Sequence, residues 1–174
     1  MNESIRKVHA AEIPSEGFDS ISDRVLSQLY KYWSEKRCGR PMPPRSVLDP
    51  GEMRFALGYL VLLDVVRPEL QFRVRLQGTE LERWIGGDFT GKMIDALPDG
   101  DIRVLAHELL EASVLSRGPI YKAGRCEVGG FLRRYEAIVL PMSLGNGNAD
   151  EKMADTVSML LAGIRCQSGV LEEA

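Results

Sequence analysis

Two apolar runs near the middle of the chain show the periodicity of β-strands. The first, residues 59–66, is apolar on both faces except at Asp64, which is typical of a strand that is covered on both sides. The second, residues 70–77, alternates apolar and polar side chains, so we expect its polar face to meet water. Only residues 67–69 separate the two runs, and we therefore predict an antiparallel hairpin.

The N-terminal part of the chain predicts a helix followed by an irregular connector. Residues 20–37 carry apolar side chains at helical spacing, and Ser20 with Asp23 forms an N-cap pair. The apolar surface is wider than one stripe, so this helix needs partners on more than one side. Four prolines in residues 37–50 exclude a helix and a central strand there. The motif at residues 49–52, Asp-Pro-Gly-Glu, predicts a short helix that ends near residue 57 or 58.

The middle of the chain returns to helical patterns. Thr79 and Glu82 have the spacing of a capping box, which predicts a short helix to about residue 85. The glycine-rich residues 86–91 predict turns, and residues 89–97 a second short helical element. Residues 101–117 predict the longest helix after the first, and its core stripe consists of Ile102, Leu105, Ala106 and Leu109.

The last third of the chain shows strand patterns again. We predict strands over residues 120–126, 131–142 and 156–166, with a turn at the glycine pair 129–130. A polar segment, residues 145–155, predicts a long loop before the last strand.

Composition narrows the classes of function. The 174 residues are 44% hydrophobic and 27% charged, with a net charge of −3, which suits one domain with extensions. The arginines are scattered, so we expect no nucleic-acid partner. The longest apolar run is too short to span a bilayer, and the first residues do not resemble a signal peptide. We therefore predict a cytoplasmic protein with no membrane segment.

The order of these elements, and several short motifs in that order, resembles a family of short stand-alone bacterial PAS proteins. The resemblance covers roughly residues 29–166, and the shared order is more specific than any single piece. The matching residues are Tyr32-Trp33, Gly39 to Arg45, Asp49 to Glu52, Leu63 to Val65, Phe72 to Glu80, Gly86 or Gly87 to Gly91, Tyr135-Glu136, Leu140-Pro141 and Leu160 to Ile164.

The resemblance implies an α+β fold with a five-stranded antiparallel PAS-like sheet, helices on one face and an N-terminal helical extension. Together with the doubly apolar first strand, it predicts the strand order 2-1-5-4-3, numbered along the predicted strands. Residues 59–66 are then central, and residues 120–126 lie at an edge. The predicted organisation is a flexible tail, a helix with its connector, the PAS domain and a second tail, over residues 1–19, 20–58, 59–166 and 167–174.

For function, the resemblance implies a sensor or scaffold. We expect a non-catalytic sensor or adaptor that acts in trans through a protein partner. A metabolite-binding protein is the alternative, and an enzyme on a similar α+β fold is a third reading. We expect the N-terminal helix to cover the outer sheet face of its own chain or of the mate in a homodimer. Its candidate interface residues are Ile21, Val25, Leu29, Tyr32 and Trp33. Leu110 and Val114 lie off the core stripe of the long helix, and we expect them to add to this contact surface.

In a PAS fold the inner sheet face and the short helices enclose a pocket. Core packing and the binding of a small apolar metabolite both remain open for the side chains there. Arg133 or Arg134 offers a charge for an acidic ligand, and strand alternation allows only one of them to face inward. The candidate pocket residues are Phe72, Val74, Trp84, Phe89, Leu105, Leu109 and Tyr135.

The sequence contains no constellation for catalysis or metal binding. Its only histidines are His9 and His107, and His107 lies away from the core stripe of its helix, so we expect no haem. Residues 87–91 lack the cysteine of light-sensing flavin domains, so we expect no flavin adduct and no bound flavin. The three cysteines are not spaced as a zinc site. Cys126 and Cys166 fall on strands about 10 Å apart, too far for a disulfide.

Overall fold

One antiparallel sheet organises the chain. In this computed structural model the described residues are 11–12, 21–98, 100–144 and 156–167. The strands, in spatial order β1-β4-β5-β6-β2-β3, are β1 (Ala11–Glu12), β2 (Leu60–Val66), β3 (Gln71–Gln77), β4 (Ile120–Val128), β5 (Phe131–Met142) and β6 (Met159–Cys166).

The predicted order of the five main strands is confirmed. The strand β2 lies between β3 and β6, so the doubly apolar run is central, as its composition indicates. One detail differs at the β4 edge. Among the five main strands β4 is the edge strand, but the two-residue β1 pairs with its outer side and forms a sixth strand. This strand, β1, belongs to residues 1–19, for which we predicted a flexible tail. The predicted loop at residues 145–155 lies outside the described residues.

The first helix starts later than its apolar pattern suggests. Helix α1 spans Arg24–Lys36, and its N-cap is Asp23 rather than Ser20. The carboxylate Oδ1 of Asp23 accepts hydrogen bonds from the amides of Val25 and Leu26, at 2.8 and 3.1 Å. These bonds satisfy the first free amides of the helix, so the helix begins where they are available.

The helix predicted at residues 49–58 does not form as an α-helix. Asp49 Oδ1 accepts from the amide of Gly51 at 2.7 Å, so the capping contact is present. The following amides instead close i→i+3 turns, from Glu52 to Asp49 and from Met53 to Pro50. A glycine inside the first turn weakens helix propagation, and only a short 3₁₀ helix, Leu57–Tyr59, follows.

The second helix is capped differently from the prediction. Helix α2 spans Thr79–Ile85, but its N-cap is Gly78, and no side chain caps it. A Cβ atom on Gly78 would lie 2.4 Å from the carbonyl oxygens of both Leu57 and Gly58. This close approach explains why glycine stands before the helix. With Gly78 as N-cap, Thr79 is the first helical residue and does not form the predicted capping box. Of the predicted element 89–97, only the 3₁₀ helix Ile94–Ala96 is helical.

Helix α3 spans Asp101–Ser116 and packs on β4 and β5 with a wider face than one stripe. Leu110 and Val114, which we expected to be available for an external contact, are only 4% and 9% exposed. That expectation was wrong, because the helix lies against β4 as well as over the cavity described below. The exposed apolar residues of α3 are Val104 and Leu115.

Helix α1 covers the outer face of the sheet in its own chain. A Cβ on Gly163 of β6 would meet Leu29 Cδ2 at 2.7 Å and Leu26 Cδ2 at 2.9 Å, so the glycine permits this close packing. The indole Nε1 of Trp33 donates to the carbonyl of Pro141 in β5 at 2.9 Å. The predicted covering role is therefore confirmed.

The interface candidates of α1 belong to this contact within the chain, which is one of the two predicted arrangements. Ile21, Leu29, Tyr32 and Trp33 are buried within the chain, and Val25 is partly buried. A homodimer would therefore have to use other surfaces unless α1 leaves the sheet.

Substituting Gly78 should destabilise the fold. Gly78→Ala places a methyl group against backbone oxygens that cannot rotate away, and we expect the free energy of unfolding to fall by about 1–3 kcal/mol. At Gly87 a Cβ would meet the nearest atom of Phe89 at an ordinary 3.6 Å. Gly87→Ala should therefore change the free energy of unfolding by no more than about 0.5 kcal/mol. Urea unfolding measures both, and equal midpoints would contradict the close approach.

The two tryptophans should respond differently to removal of the indole N–H. Trp33→Phe removes the donor that the indole gives to the buried Pro141 carbonyl, whereas Trp84 Nε1 has no hydrogen-bond partner among the described residues. We expect Trp33→Phe to lower the free energy of unfolding by about 1–3 kcal/mol more than Trp84→Phe does. Chemical denaturation of the two variants tests this, and equal losses would show that the indole bond contributes nothing.

Candidate functional site

The inner face of the sheet carries the floor of an apolar cavity of about 90 Å³. Side chains alternate between the two faces of a strand, so every second residue of β2, β5 and β6 faces inward. The small side chains Ala137 and Ala162 lie beside larger neighbours and leave space at the centre of this floor. The inward residues are Val61, Leu63, Tyr135, Ala137, Val139, Ala162 and Ile164.

The opposite wall of this apolar cavity comes from the helical middle of the chain. Helix α2 contributes Trp84 and Ile85, and the 3₁₀ segment contributes Ile94 and Leu97 nearby. Helix α3 presents the predicted stripe together with Leu110. The α3 residues that line the cavity are Ile102, Leu105, Ala106, Leu109 and Leu110.

Gln77 is the main polar exception in this lining, and its amide is already in use. Its Nε2 donates to the carbonyl of Gly87 at 2.9 Å, and its Oε1 accepts from the amide of Phe89 at 3.0 Å. Gln77 therefore holds the turn after α2 against β3. This leaves the cavity with apolar character, suited to a hydrocarbon group.

The predicted pocket residues divide into two groups. Val74, Trp84, Leu105, Leu109 and Tyr135 line the cavity. Phe72 is fully buried but packs elsewhere in the core, and Phe89 lies toward the surface with Lys92 Nζ 5.2 Å from its ring centroid. Their role in binding stays a prediction. Apart from Tyr135, the sequence argument overlooked the inward residues of β2, β5 and β6, which strand alternation would have identified.

A second pocket, which we call the side pocket, adjoins the apolar cavity. Its volume is about 230 Å³, and Trp84 and Ile164 line both spaces. Arg133 lies here, whereas Arg134 lines a pocket with Ser22 and Asp23 at the start of α1, so the two arginines face opposite sides as predicted. The remaining residues of the side pocket are Tyr59, Glu80, Leu81, Arg83 and Cys166.

Two donors at the side pocket have no hydrogen-bond acceptor. Trp84 Nε1 and Arg133 Nε are both buried and unpaired within the described part of the chain. A buried donor without an acceptor typically costs about 1–3 kcal/mol. Such groups are uncommon in folded proteins and call for an explanation.

A polar network on the outer face ties the start of α1 to the sheet. The Glu136 carboxylate accepts from Ser22 Oγ at 2.6 Å, from the Asp23 amide at 3.0 Å and from Tyr121 OH at 2.7 Å. Burial and the neighbouring Glu136 raise the pKa of Tyr121. Arg165 Nε completes the network with a bond to Asp23 Oδ2 at 3.0 Å. The position of α1 therefore depends on side chains of three strands.

A partly buried ion pair connects α3 to the edge of the five-stranded sheet. Lys122 of β4 is 6% exposed, and its Nζ lies 2.9 Å from both carboxylate oxygens of Glu108. A pair of this geometry fixes the helix laterally on the strand, because breaking it would leave a buried charge.

The described histidine and cysteines lie outside the lining of the apolar cavity. His107 Nε2 lies 2.7 Å from Asp95 Oδ1 and is outside the cavity lining, as its position on α3 indicates. The cysteines are free, and burial raises the pKa of Cys126 to about 12. No group of three His, Cys, Asp or Glu residues among the described residues could hold a metal ion.

A family comparison identifies this architecture. The sequence model of a family described as a PAS domain matches residues 21–153. The chain belongs to the PAS domain family. The match takes in α1 and the connector as well as most of the sheet. PAS domains are sensory modules of signalling proteins and are typically non-catalytic.

Solved structures match the chain at low sequence identity. A light-oxygen-voltage domain studied with a flavin analogue is 14% identical, with a TM-score of 0.43, and the match covers 64% of this chain and 78% of that one. The PAS domain of BvgS from Bordetella pertussis is 12% identical, with a TM-score of 0.38, covering 82% and 87%. No curated protein matches the sequence. Within the described residues, no helix is long and apolar enough to cross a membrane.

The buried thiol of this PAS domain should be unreactive in the folded state. With its pKa raised to about 12, Cys126 stays protonated at pH 8, and it is only 2% exposed. We expect an alkylating reagent to modify the exposed Cys38 and to leave Cys126 unmodified until the protein unfolds. Mass spectrometry of peptides from folded and guanidinium-unfolded samples measures this.

The raised pKa of Cys126 also predicts that the folded state becomes less stable at high pH. The Cys126 thiol has a pKa near its ordinary value of 9.0 in the unfolded state and near 12 in the folded state. Its contribution to the free energy of unfolding is therefore complete below pH 9. It is lost as the pH rises toward 12, because the unfolded state releases its proton first.

For the alkylation experiment, equal modification of Cys38 and Cys126 in the folded protein at pH 8 would contradict the burial of Cys126.

Proposed function

We propose that this PAS domain is a non-catalytic sensor that binds a small apolar group in the cavity and acts on a protein partner. One observation carries the proposal: an apolar cavity lies between the inner sheet face and α2 and α3, the elements that a ligand could move. Its described lining offers apolar contact and no nucleophile with an adjacent base.

The ligand of such a site would act by shifting the packing of helices on the sheet. Helix α3 contributes to the cavity on one side and exposes Val104 and Leu115, 68% and 76% exposed, on the other. A change in the cavity can therefore alter the outer surface of the same helix. A ligand shifts this equilibrium only as far as its affinities for the two arrangements differ.

The size of the cavity restricts what enters it. An apolar cavity of about 150 Å³ stays dry and binds benzene or xenon, and the cavity here is smaller, at about 90 Å³. Without movement of the walls, the space accepts a group of only a few heavy atoms. A flavin or a haem ring would require a large rearrangement of α2 and α3.

Xenon binding tests the cavity directly. We expect xenon under pressure to shift the NMR signals of cavity methyl groups such as those of Val61 and Leu109 in the wild-type protein. Ala162→Leu fills the space from the sheet and should abolish those shifts. Ala123→Leu makes the same change at an exposed site of β4 and should leave them unchanged. If the wild type shows no shifts, or if both variants behave alike, the cavity does not bind apolar groups and the proposal fails.

A further inference from the structure

The side pocket contains an unmatched positive charge. Of the charged side chains in its lining, Arg83 donates to Glu80 at 2.7 Å, so these two neutralise each other. Arg133 has no carboxylate partner among the described residues. The nearby Arg165 is not free to add to this charge, because it binds Asp23 and stacks on the Tyr59 ring at 4.0 Å. The pocket therefore favours one negative charge.

Two donors of the same pocket have no hydrogen-bond acceptor among the described residues. Both Trp84 Nε1 and Arg133 Nε are buried donors without a partner. Carboxylate oxygens accept such bonds, and an arginine pairs with a carboxylate through charge-assisted bonds. A phosphate monoester carries up to two charges and would leave one unmatched beside a single arginine, and an uncompensated buried charge is unfavourable. The chemistry of the pocket thus selects a monoanion.

The side pocket and the apolar cavity share two walls. Trp84 belongs to α2 and Ile164 to β6, and each lines both spaces. The two spaces are therefore adjacent, and a molecule with its charged group at Arg133 would extend past Ile164 toward the floor of the cavity once the Trp84 side chain moves aside. Because the cavity is smaller than one that holds benzene, its apolar part has roughly three to five carbon atoms.

We propose that this PAS domain binds a short-chain carboxylic acid, with its carboxylate at Arg133 and Trp84 and its hydrocarbon tail in the apolar cavity. The inference rests on the proposed sensor function and names the chemical class of its ligand. Both donors are shielded from solvent in this structure, so entry of the acid requires the Trp84 side chain or α2 to move. Binding at this site would thereby change the helix that bears Trp84.

Calorimetric titration with straight-chain acids from acetate to octanoate, and with the primary alcohols of equal length, tests the proposal. Each added CH₂ should tighten binding about fourfold, the equivalent of ~0.8 kcal/mol, until the cavity is full near pentanoate or hexanoate. The alcohol of equal length should bind at least about tenfold more weakly, because it lacks the charge that Arg133 pairs with.

Three variants distinguish the effect of losing the Arg133 charge from the effect of a damaged fold. Arg133→Gln should remove the preference for acid over alcohol, and Trp84→Phe should weaken acid binding while keeping an aromatic wall. Arg134→Gln is the matched control, because Arg134 is the next residue of β5 and lines the pocket on the opposite face. It should bind acids as the wild type does. Equal melting temperatures of Arg133→Gln and Arg134→Gln would show that the loss is local.

Several outcomes would overturn the inference. Equal affinity for acids and alcohols would remove the role of the charge, and wild-type binding by Arg133→Gln would place the carboxylate elsewhere. Absence of acid binding would also overturn it. The xenon measurement distinguishes these failures from failure of the sensor proposal: shifts in wild type but not in Ala162→Leu would leave an apolar cavity that binds a different class of ligand.

Discussion

The packing of α1 over Gly163 is the contact on which the rest of the structure depends. The central strands are apolar on both faces, so one face needs a cover before the other can serve a ligand. The missing side chain at Gly163 lets Leu26 and Leu29 approach β6 directly, and the Trp33 indole bonds β5. With that face sealed by a segment of the same chain, the inner face is left to α2, α3 and the cavity.

The cavity follows from side-chain size at alternating positions. Ala137 and Ala162 stand at the centre of the inner face, where larger residues would have filled the space below α3. The cavity adjoins a pocket with a different character, because Arg133 occupies an inward position near the start of β5. An apolar space beside an unpaired cation and an unsatisfied indole is the arrangement that an amphipathic anion would complete.

Polar contacts at the periphery define how a change in the cavity could spread. The partly buried pair of Lys122 and Glu108 holds α3 on β4, so this helix is more restrained than α2. Helix α2 is short, begins at the tightly packed Gly78 and ends at Gly86, whose φ of 88° is left-handed. Movement at the site should therefore concentrate in α2 and the turn that Gln77 holds, with α3 responding as a unit.

The sequence by itself determined the order and type of the main elements, because period-2 and helical patterns are local properties of the chain. The doubly apolar run at β2 also required a central strand and a cover on each face. Tertiary structure alone decided which side chains meet. Gly78 became a cap because two carbonyls pass beside it, and Leu110 and Val114 became core because α3 lies against β4. Arg133 and Trp84 line one pocket although they are 49 positions apart in the chain, and no local pattern encodes a pocket that forms only when the chain has folded.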